Sequence, residues 1–287
     1  MPELPEVETV RLQLKRKVSG KKIASVEVRH RKTVDHNPKI ESILKGKTIS
    51  DIERVGKLMM FNFAEDENLH LLAHLKMTGQ FFFVDTKGKV DGGGHTFTNS
   101  DLVPPHKHTR VIFNFTDKST LYFNDMRLFG YAKLANSKTV EAERLKYGPE
   151  PIDKNFDVEW FVSELRKKKA LVKAALLNQS FVAGLGNIYV DEALWRAKVK
   201  PMRRANTLTK AEAAAIAAAS GEVMRESIKV GGTTFQHFAD TDGESGNFKE
   251  YLKVFGKQGT KCESCGGTIK KVRAAGRGTH YCPKCQK

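Results

Sequence analysis

Leu14-Lys15-Arg16-Lys17-Val18-Ser19-Gly20-Lys21-Lys22-Ile23-Ala24-Ser25-Val26-Glu27-Val28 is where the apolar pattern of this chain changes period. Up to it, Val7, Val10, Leu14 and Val18 recur at the spacing of one helical face, and Gly20 closes that helix. From Ile23 the runs become short and β-like: Ile23–Val28, Leu58–Phe63, Leu69–Leu75, Gln80–Val84, Arg110–Phe115, Thr120–Phe123 and Gly130–Leu134. Turn-rich segments separate them, which predicts an N-terminal helix plus a β-sandwich or flattened barrel. Tyr147-Gly148-Pro149-Glu150-Pro151 carries a linker signal. Beyond it helices are expected at Phe156–Lys169, Ala170–Leu177, Ile188–Arg196 and Lys210–Val230, the last with capping-box spacing at Thr209 and Glu212. The class is α+β. Expected boundaries are 1–135 for the β domain, 136–155 for a linker, 156–245 for a helical domain and 246–287 for a terminal ribbon.

The 287 residues include 49 Lys+Arg against 33 Asp+Glu, a formal charge of +16. Such an excess points to a polyanionic partner, most often nucleic acid and less often an acidic membrane face. No apolar run reaches transmembrane length, and the acidic start lacks a signal peptide's basic and apolar regions, so a soluble intracellular protein is expected. All four cysteines fall near the C-terminus as Cys262-Glu-Ser-Cys265, sixteen residues, then Cys282-Pro-Lys-Cys285. Two C-x-x-C knuckles at that separation predict one zinc ion held tetrahedrally by four thiolates, structural because no coordination position is left open. Lys270, Lys271, Arg273 and Arg277 lie between the knuckles on an expected hairpin. They are placed to meet phosphates, or else form a solvated charged face.

The first residues suggest chemistry. Removal of Met1 would leave Pro2 with a secondary amine at the N-terminus. An α-amino group titrates near 7.7–8 against about 10.4 for lysine, so it is neutral and nucleophilic far more often at pH 7. A secondary amine attacking a sugar C1′ gives an iminium whose charge acidifies the C2′ proton. Proline at a helix start is equally compatible with a purely structural role. Glu3 and Glu6 lie three apart, close together on that helix. Ala183-Gly184-Leu185-Gly186-Asn187 is either a phosphate-binding turn at a helix N-terminus or an ordinary helix–helix turn.

Pro2-Glu-Leu-Pro-Glu-Val-Glu-Thr-Val10, Val55-Gly-Lys57, His74-Leu-Lys-Met77-Thr-Gly79, Asp125-Met-Arg127-Leu-Phe129-Gly130, Gly148-Pro-Glu-Pro151, Gly184-Leu-Gly-Asn-Ile-Tyr189, Gly231-Gly-Thr-Thr234 and the cysteine knuckles stand in the order seen in formamidopyrimidine-DNA glycosylases. The chain resembles that family over nearly its whole length. The resemblance implies a bifunctional DNA glycosylase and abasic-site lyase of base excision repair, mostly bacterial and cytoplasmic. It would remove oxidised purines, 8-oxoguanine and formamidopyrimidines, from double-stranded DNA, then cleave the strand by β,δ-elimination. It also implies a helix–two-turn–helix in the helical domain and catalysis in the β domain. Pro2 would be the nucleophile, Glu3 the proton donor and shuttle, Glu6 a holder of site geometry, and Lys57 a grip on phosphates beside the lesion. Burial and the like charges of Glu6 and Glu8 would raise Glu3 toward neutrality.

Met77, Arg127 and Phe129 match the family's void-filling trio, which occupies the space left by an everted nucleotide. His74, Lys173, Asn187 and Arg277 match phosphate-contact positions, and the loop from Gly231 to Phe248 matches one that covers the everted base. Leu4 stands where the oxidised-pyrimidine branch, the endonuclease VIII-like enzymes, typically has glycine. Three features depart from the family pattern. Leu128 replaces a basic residue, Thr86–Pro105 looks long, and Asn247 sits where some members carry an aromatic residue. His95, His106 and His108 in or beside the long loop have no metal-ligand spacing. An oxidised-pyrimidine glycosylase and a zinc-ribbon protein that binds damaged DNA without cutting it remain as other readings. A monomer without membrane contact is expected.

Overall fold

The computed structural model describes residues 2–92, 104–233 and 248–287. The expectations for Met1, His95, Asn247 and most of the 231–248 loop lie outside them. The described residues up to Leu145, with 230–233 and 248–249, form one compact unit; Lys146–Lys229 and Glu250–Lys287 form another.

In the first unit helix α1 spans Leu4–Val18. Pro5 sits in its first turn, where a missing N–H costs nothing, and Lys15, Arg16 and Lys17 crowd the negative C-terminal end. Val7, Val10, Leu14 and Val18 are buried, as their period demands. After β1 (Ile23–Val28) and a short α2 (Ile40–Leu44) come β2 (Ile49–Val55), β3 (Leu58–Phe63), β4 (Asp66–His74), β5 (Gly79–Val84), β6 (Val90–Gly92), β7 (Thr109–Phe115), β8 (Thr120–Asp125) and β9 (Tyr131–Ala135). They make two antiparallel sheets, ordered β1-β7-β8-β5-β6 and β2-β3-β4-β9. Alternate residues of both sheets share one core with α1, including Val26, Phe81, Phe113 and Phe123 from the first and Ile52, Met59, Phe61 and Leu71 from the second. Phe81 links them, with ring centroids 5.7 Å from Phe61 and 5.0 Å from Phe123.

Strand β2, helix α2, strand β6 and helix α3 (Ser137–Arg144) have no counterpart among the elements expected from the sequence. Strand β2 buries Ile49 and Ile52, a spacing that breaks the two-residue period, because a bulge between Ile49 and Asp51 resets the alternation. Helix α3 lies inside the stretch read as a linker. It buries only Val140, so periodicity could not mark it, and it depends on an Asn136 cap that accepts from the Thr139 N–H.

In the second unit α4 (Val158–Lys167), α5 (Val172–Leu177), α6 (Asn187–Arg196) and α7 (Lys210–Lys229) pack around Phe161, Leu176, Tyr189, Leu194 and Met224. The capping box of α7 forms in both directions between Thr209 and Glu212. Two turns join α5 to α6, held by Gln179, which accepts from the Gly184 N–H at 3.0 Å and donates to the Leu185 carbonyl at 2.8 Å. Strands β10 (Lys270–Ala274) and β11 (Arg277–Tyr281) pair as a hairpin. Its two-residue turn, Ala275 and Gly276, has φ of 51° and 70°, the left-handed pair that a tight hairpin needs. Among the described residues no helix is long and apolar enough to cross a membrane.

Candidate active site and nucleic-acid interface

The start of α1 is built around Glu6. Its Oε2 accepts the Glu3 N–H at 2.8 Å, and its Oε1 accepts both the N–H and the hydroxyl of Thr233, each at 2.8 Å. Gly232, at φ +86°, passes so close that a Cβ there would lie 3.2 Å from Glu6. Three donated bonds hold this carboxylate still, which suits a fixed anchor and not a proton carrier. Glu3, the helix N-cap, is only 3 % exposed, and Pro2 before it is buried. The expectation for Glu8 needs correction. Burial pushes its carboxyl up, but hydrogen bonds and charge from Arg11 and Arg54 hold it below the ordinary range. Arg11 and Arg54 lie 2.6 and 2.8 Å away, so Glu8 is an ion-paired carboxylate and not a bare like charge.

Lys57 sits in the β2–β3 turn after Gly56, whose φ is +55°, and is 5 % exposed. His74, at the end of β4, is buried with its ring 5.9 Å from that of Tyr131. Its Nδ1 accepts the Lys76 N–H at 2.9 Å, which leaves the proton on Nε2. Burial, then the charges of Lys76 and Lys57, depress the imidazole to about 3. A neutral ring with Nε2–H can donate to a phosphate without carrying charge. Because the folded ring resists protonation below the unfolded value near 6.5, native stability should fall as pH drops from about 6.5 toward about 3. In His74→Gln that part of the slope should vanish in urea unfolding series across the same pH range.

Met77 and Phe129 are 39 and 51 % exposed, and Arg127 is exposed as well, its guanidinium 4.8 Å from the Phe129 ring centroid. Leu128 between them has φ +57°, a strained setting for a branched side chain that costs on the order of 1–3 kcal/mol. These apolar tips belong to the β4–β5 and β8–β9 turns.

In the second unit Lys173 is not at the surface. It is fully buried, its Nζ 2.6 Å from Asp191 Oδ1 and 3.3 Å from the Gly278 carbonyl, so direct phosphate contact is corrected to an internal role. Asp191 Oδ2 accepts the His280 N–H at 2.8 Å, and Asn187 Nδ2 donates to the same Gly278 carbonyl at 3.1 Å. Lys173, Asp191 and Asn187 thus fix β11 immediately after the exposed Arg277. Asn187 Oδ1 is buried and carries no hydrogen bond. Glu192, the next residue on α6, accepts the N–H groups of Lys253, Val254 and Phe255. Sequence reasoning misses both acids. The available signal is their position inside Ile188-Tyr-Val-Asp-Glu-Ala-Leu-Trp195, a helix otherwise too apolar to place two charges in water.

The four thiol sulfurs lie within 4.8 Å of one another, with Cys262–Cys285 at 3.7 Å and Cys265–Cys282 at 3.5 Å. A tetrahedron with Zn–S bonds of about 2.3 Å has edges of about 3.8 Å, close to the two shorter separations, so the set is gathered at the scale that zinc requires. Burial pushes Cys262 up, but the Trp195 indole N–H, 3.4 Å from its sulfur, with backbone and thiol donors, brings it down to about 7. Val254 and Ile269 pack beside the cluster.

Comparison with known proteins decides the family. Models described as the formamidopyrimidine-DNA glycosylase N-terminal domain, the formamidopyrimidine-DNA glycosylase H2TH domain and the zinc finger found in FPG and IleRS match residues 1–132, 147–239 and 259–287. The chain belongs to the formamidopyrimidine-DNA glycosylase family. Members from Exiguobacterium sp. and Streptococcus pneumoniae are 42 and 38 % identical, over all of this chain and 99 % of each relative. A Lactococcus lactis Fpg solved with abasic-site DNA superposes with a TM-score of 0.85 at 35 % identity, covering 99 % of both chains. A variant of that protein bound to Fapy-dG DNA gives 0.87 at 36 % identity over all of both chains. As in other glycosylases of this family, the ribbon is a zinc finger, and its four cysteines are the ligand set. Zinc there supplies folding energy to a segment too short to build a core.

Proposed function

We propose that this protein is a bifunctional DNA glycosylase and abasic-site lyase acting on oxidised purines in double-stranded DNA. The observation that carries the reading is Pro2 followed by buried Glu3 and a fully hydrogen-bonded Glu6 at the start of α1, in a chain matched end to end by family members. Pro2 nitrogen attacks C1′ and the oxidised base leaves. Glu3 protonates the ring oxygen, and the sugar opens to an iminium on Pro2. Loss of the C2′ proton expels the 3′ phosphate, a second elimination expels the 5′ phosphate, and hydrolysis frees the amine. Lys57, His74, Asn187 and Arg277 hold phosphates on either side, and Met77, Arg127 and Phe129 fill the vacated stack. The protein works inside the cell as a monomer, in the bacterial cytoplasm, associated with the nucleoid when bound to DNA.

The test is cleavage of duplexes carrying 8-oxoguanine opposite cytosine or thymine glycol opposite adenine. Faster cutting of the first is expected; no cutting of either contradicts the reading. Preference for the second would favour the oxidised-pyrimidine branch; binding alone does not decide, since a similar Lactococcus lactis Fpg is described in complex with oxidised-pyrimidine DNA. Arg277→Ala should weaken duplex binding and shallow its salt dependence by about one counterion. Zinc content should stay unchanged, and an unaltered salt titration would remove Arg277 from the interface.

A further inference from the structure

We infer that Asp125, a residue with no reactive role, is the clamp that positions the void-filling tips. This rests on the reading of Met77, Arg127 and Phe129 as residues that replace the everted nucleotide. Asp125 is fully buried at the end of β8. Its Oδ1 accepts the Thr78 hydroxyl and, at 3.1 Å, the Arg127 N–H; its Oδ2 accepts the Gly130 N–H at 2.7 Å. Thr78 Oγ1 in turn accepts the Arg127 N–H at 3.0 Å. One carboxylate therefore joins the turn bearing Met77 to both ends of the turn bearing Arg127 and Phe129.

The two turns connect different sheets. β4 and β9 belong to the four-stranded sheet, β5 and β8 to the five-stranded one. Met77 and Phe129 are not packed in the core, so their direction depends on how their turns are held. The glycines show how closely the turns are drawn in. A Cβ on Gly79 would lie 2.5 Å from the Leu75 carbonyl oxygen. One on Gly130 would lie 3.1 Å from the His74 carbonyl oxygen and 3.2 Å from Asp125 Oδ2. The backbone of Asp125 is fixed independently, by its N–H to the His108 carbonyl at 2.9 Å and its carbonyl to Arg110 Nε at 2.7 Å. Its side chain is thus a rigid post from which both tips hang.

Base eversion needs the tips in register, whereas an abasic nucleotide has no base to replace. Asp125→Asn removes one acceptor and sets an amide against a backbone N–H. Single-turnover excision of 8-oxoguanine should fall about 100-fold, as expected for roughly ångström-scale misplacement. Nicking of a preformed abasic site should fall far less. In a Met77→Ala, Arg127→Ala, Phe129→Ala background Asp125→Asn should add little further loss, because its effect passes through those side chains. Thr78→Val should reproduce the pattern in milder form and Thr78→Ser should restore it, which covers the case where Asp125→Asn fails to fold. Equal losses on both substrates, or additivity with the tip variants, would overturn the assignment. Hydrogen exchange at the Arg127 and Gly130 amides should quicken in Asp125→Asn and Thr78→Val, a readout that does not depend on catalysis. Unchanged exchange would overturn the clamp even if the parent proved inactive on 8-oxoguanine, an outcome that would count against the function alone.

Discussion

Glu3→Gln is expected to slow excision of 8-oxoguanine by about 100- to 10,000-fold, the range that a positioned proton donor supplies. Glu3 is almost wholly buried, and its backbone is pinned by Glu6, so the amide should occupy the same place. Duplex affinity should hardly change. What is lost is the proton delivered to the ring oxygen as the sugar opens. A preformed abasic sugar already exchanges with its open aldehyde, so nicking of that substrate should suffer less. Comparing single-turnover rates on the two substrates checks the role; equal losses on both would point to a disturbed site instead.

Asp191→Ala is the second large effect. The substitution strands the Lys173 ammonium, which like Asp191 has no exposed surface, and breaking such a pair costs about 3–5 kcal/mol. It also removes the acceptor of the His280 N–H and frees one tie on the hairpin that presents Arg277. The urea midpoint should drop, and affinity for DNA should fall although neither partner is placed to touch it. Adding Lys173→Met should recover most of the stability by removing the unpaired charge, without restoring the hairpin's hold. A loss below about 1 kcal/mol, the scale of a surface pair, would show that the interaction is not the buried one described.

Much of the architecture is legible in the sequence because it rests on period. The α1 stripe, the bounds of β1 and β3, and the capping box of α7 follow from residue spacing and are found where expected. The zinc knuckles are readable for a different reason, since few other arrangements put two C-x-x-C pairs so far apart. Elements and roles that depend on partners distant in sequence are not readable. β2 hides behind a bulge, α3 depends on a cap rather than a stripe, and Glu8 looks like a like-charge neighbour until Arg54 arrives from β2. Lys173 is the sharpest case. The family resemblance points it to phosphate, while Asp191, eighteen residues later, pairs with it in the interior. Thr233 acquires its meaning only by reaching Glu6 from the far end of the sequence.

The central claim is that the Pro2 nitrogen becomes bonded to the damaged sugar. Protein lacking Met1 should be mixed with 8-oxoguanine duplex, reduced with borohydride, digested and sequenced by mass spectrometry. The account predicts one deoxyribose-derived adduct, carried on the N-terminal proline. An adduct on Lys57 or any other lysine, or strand cleavage undiminished after that amine has been blocked, would contradict it.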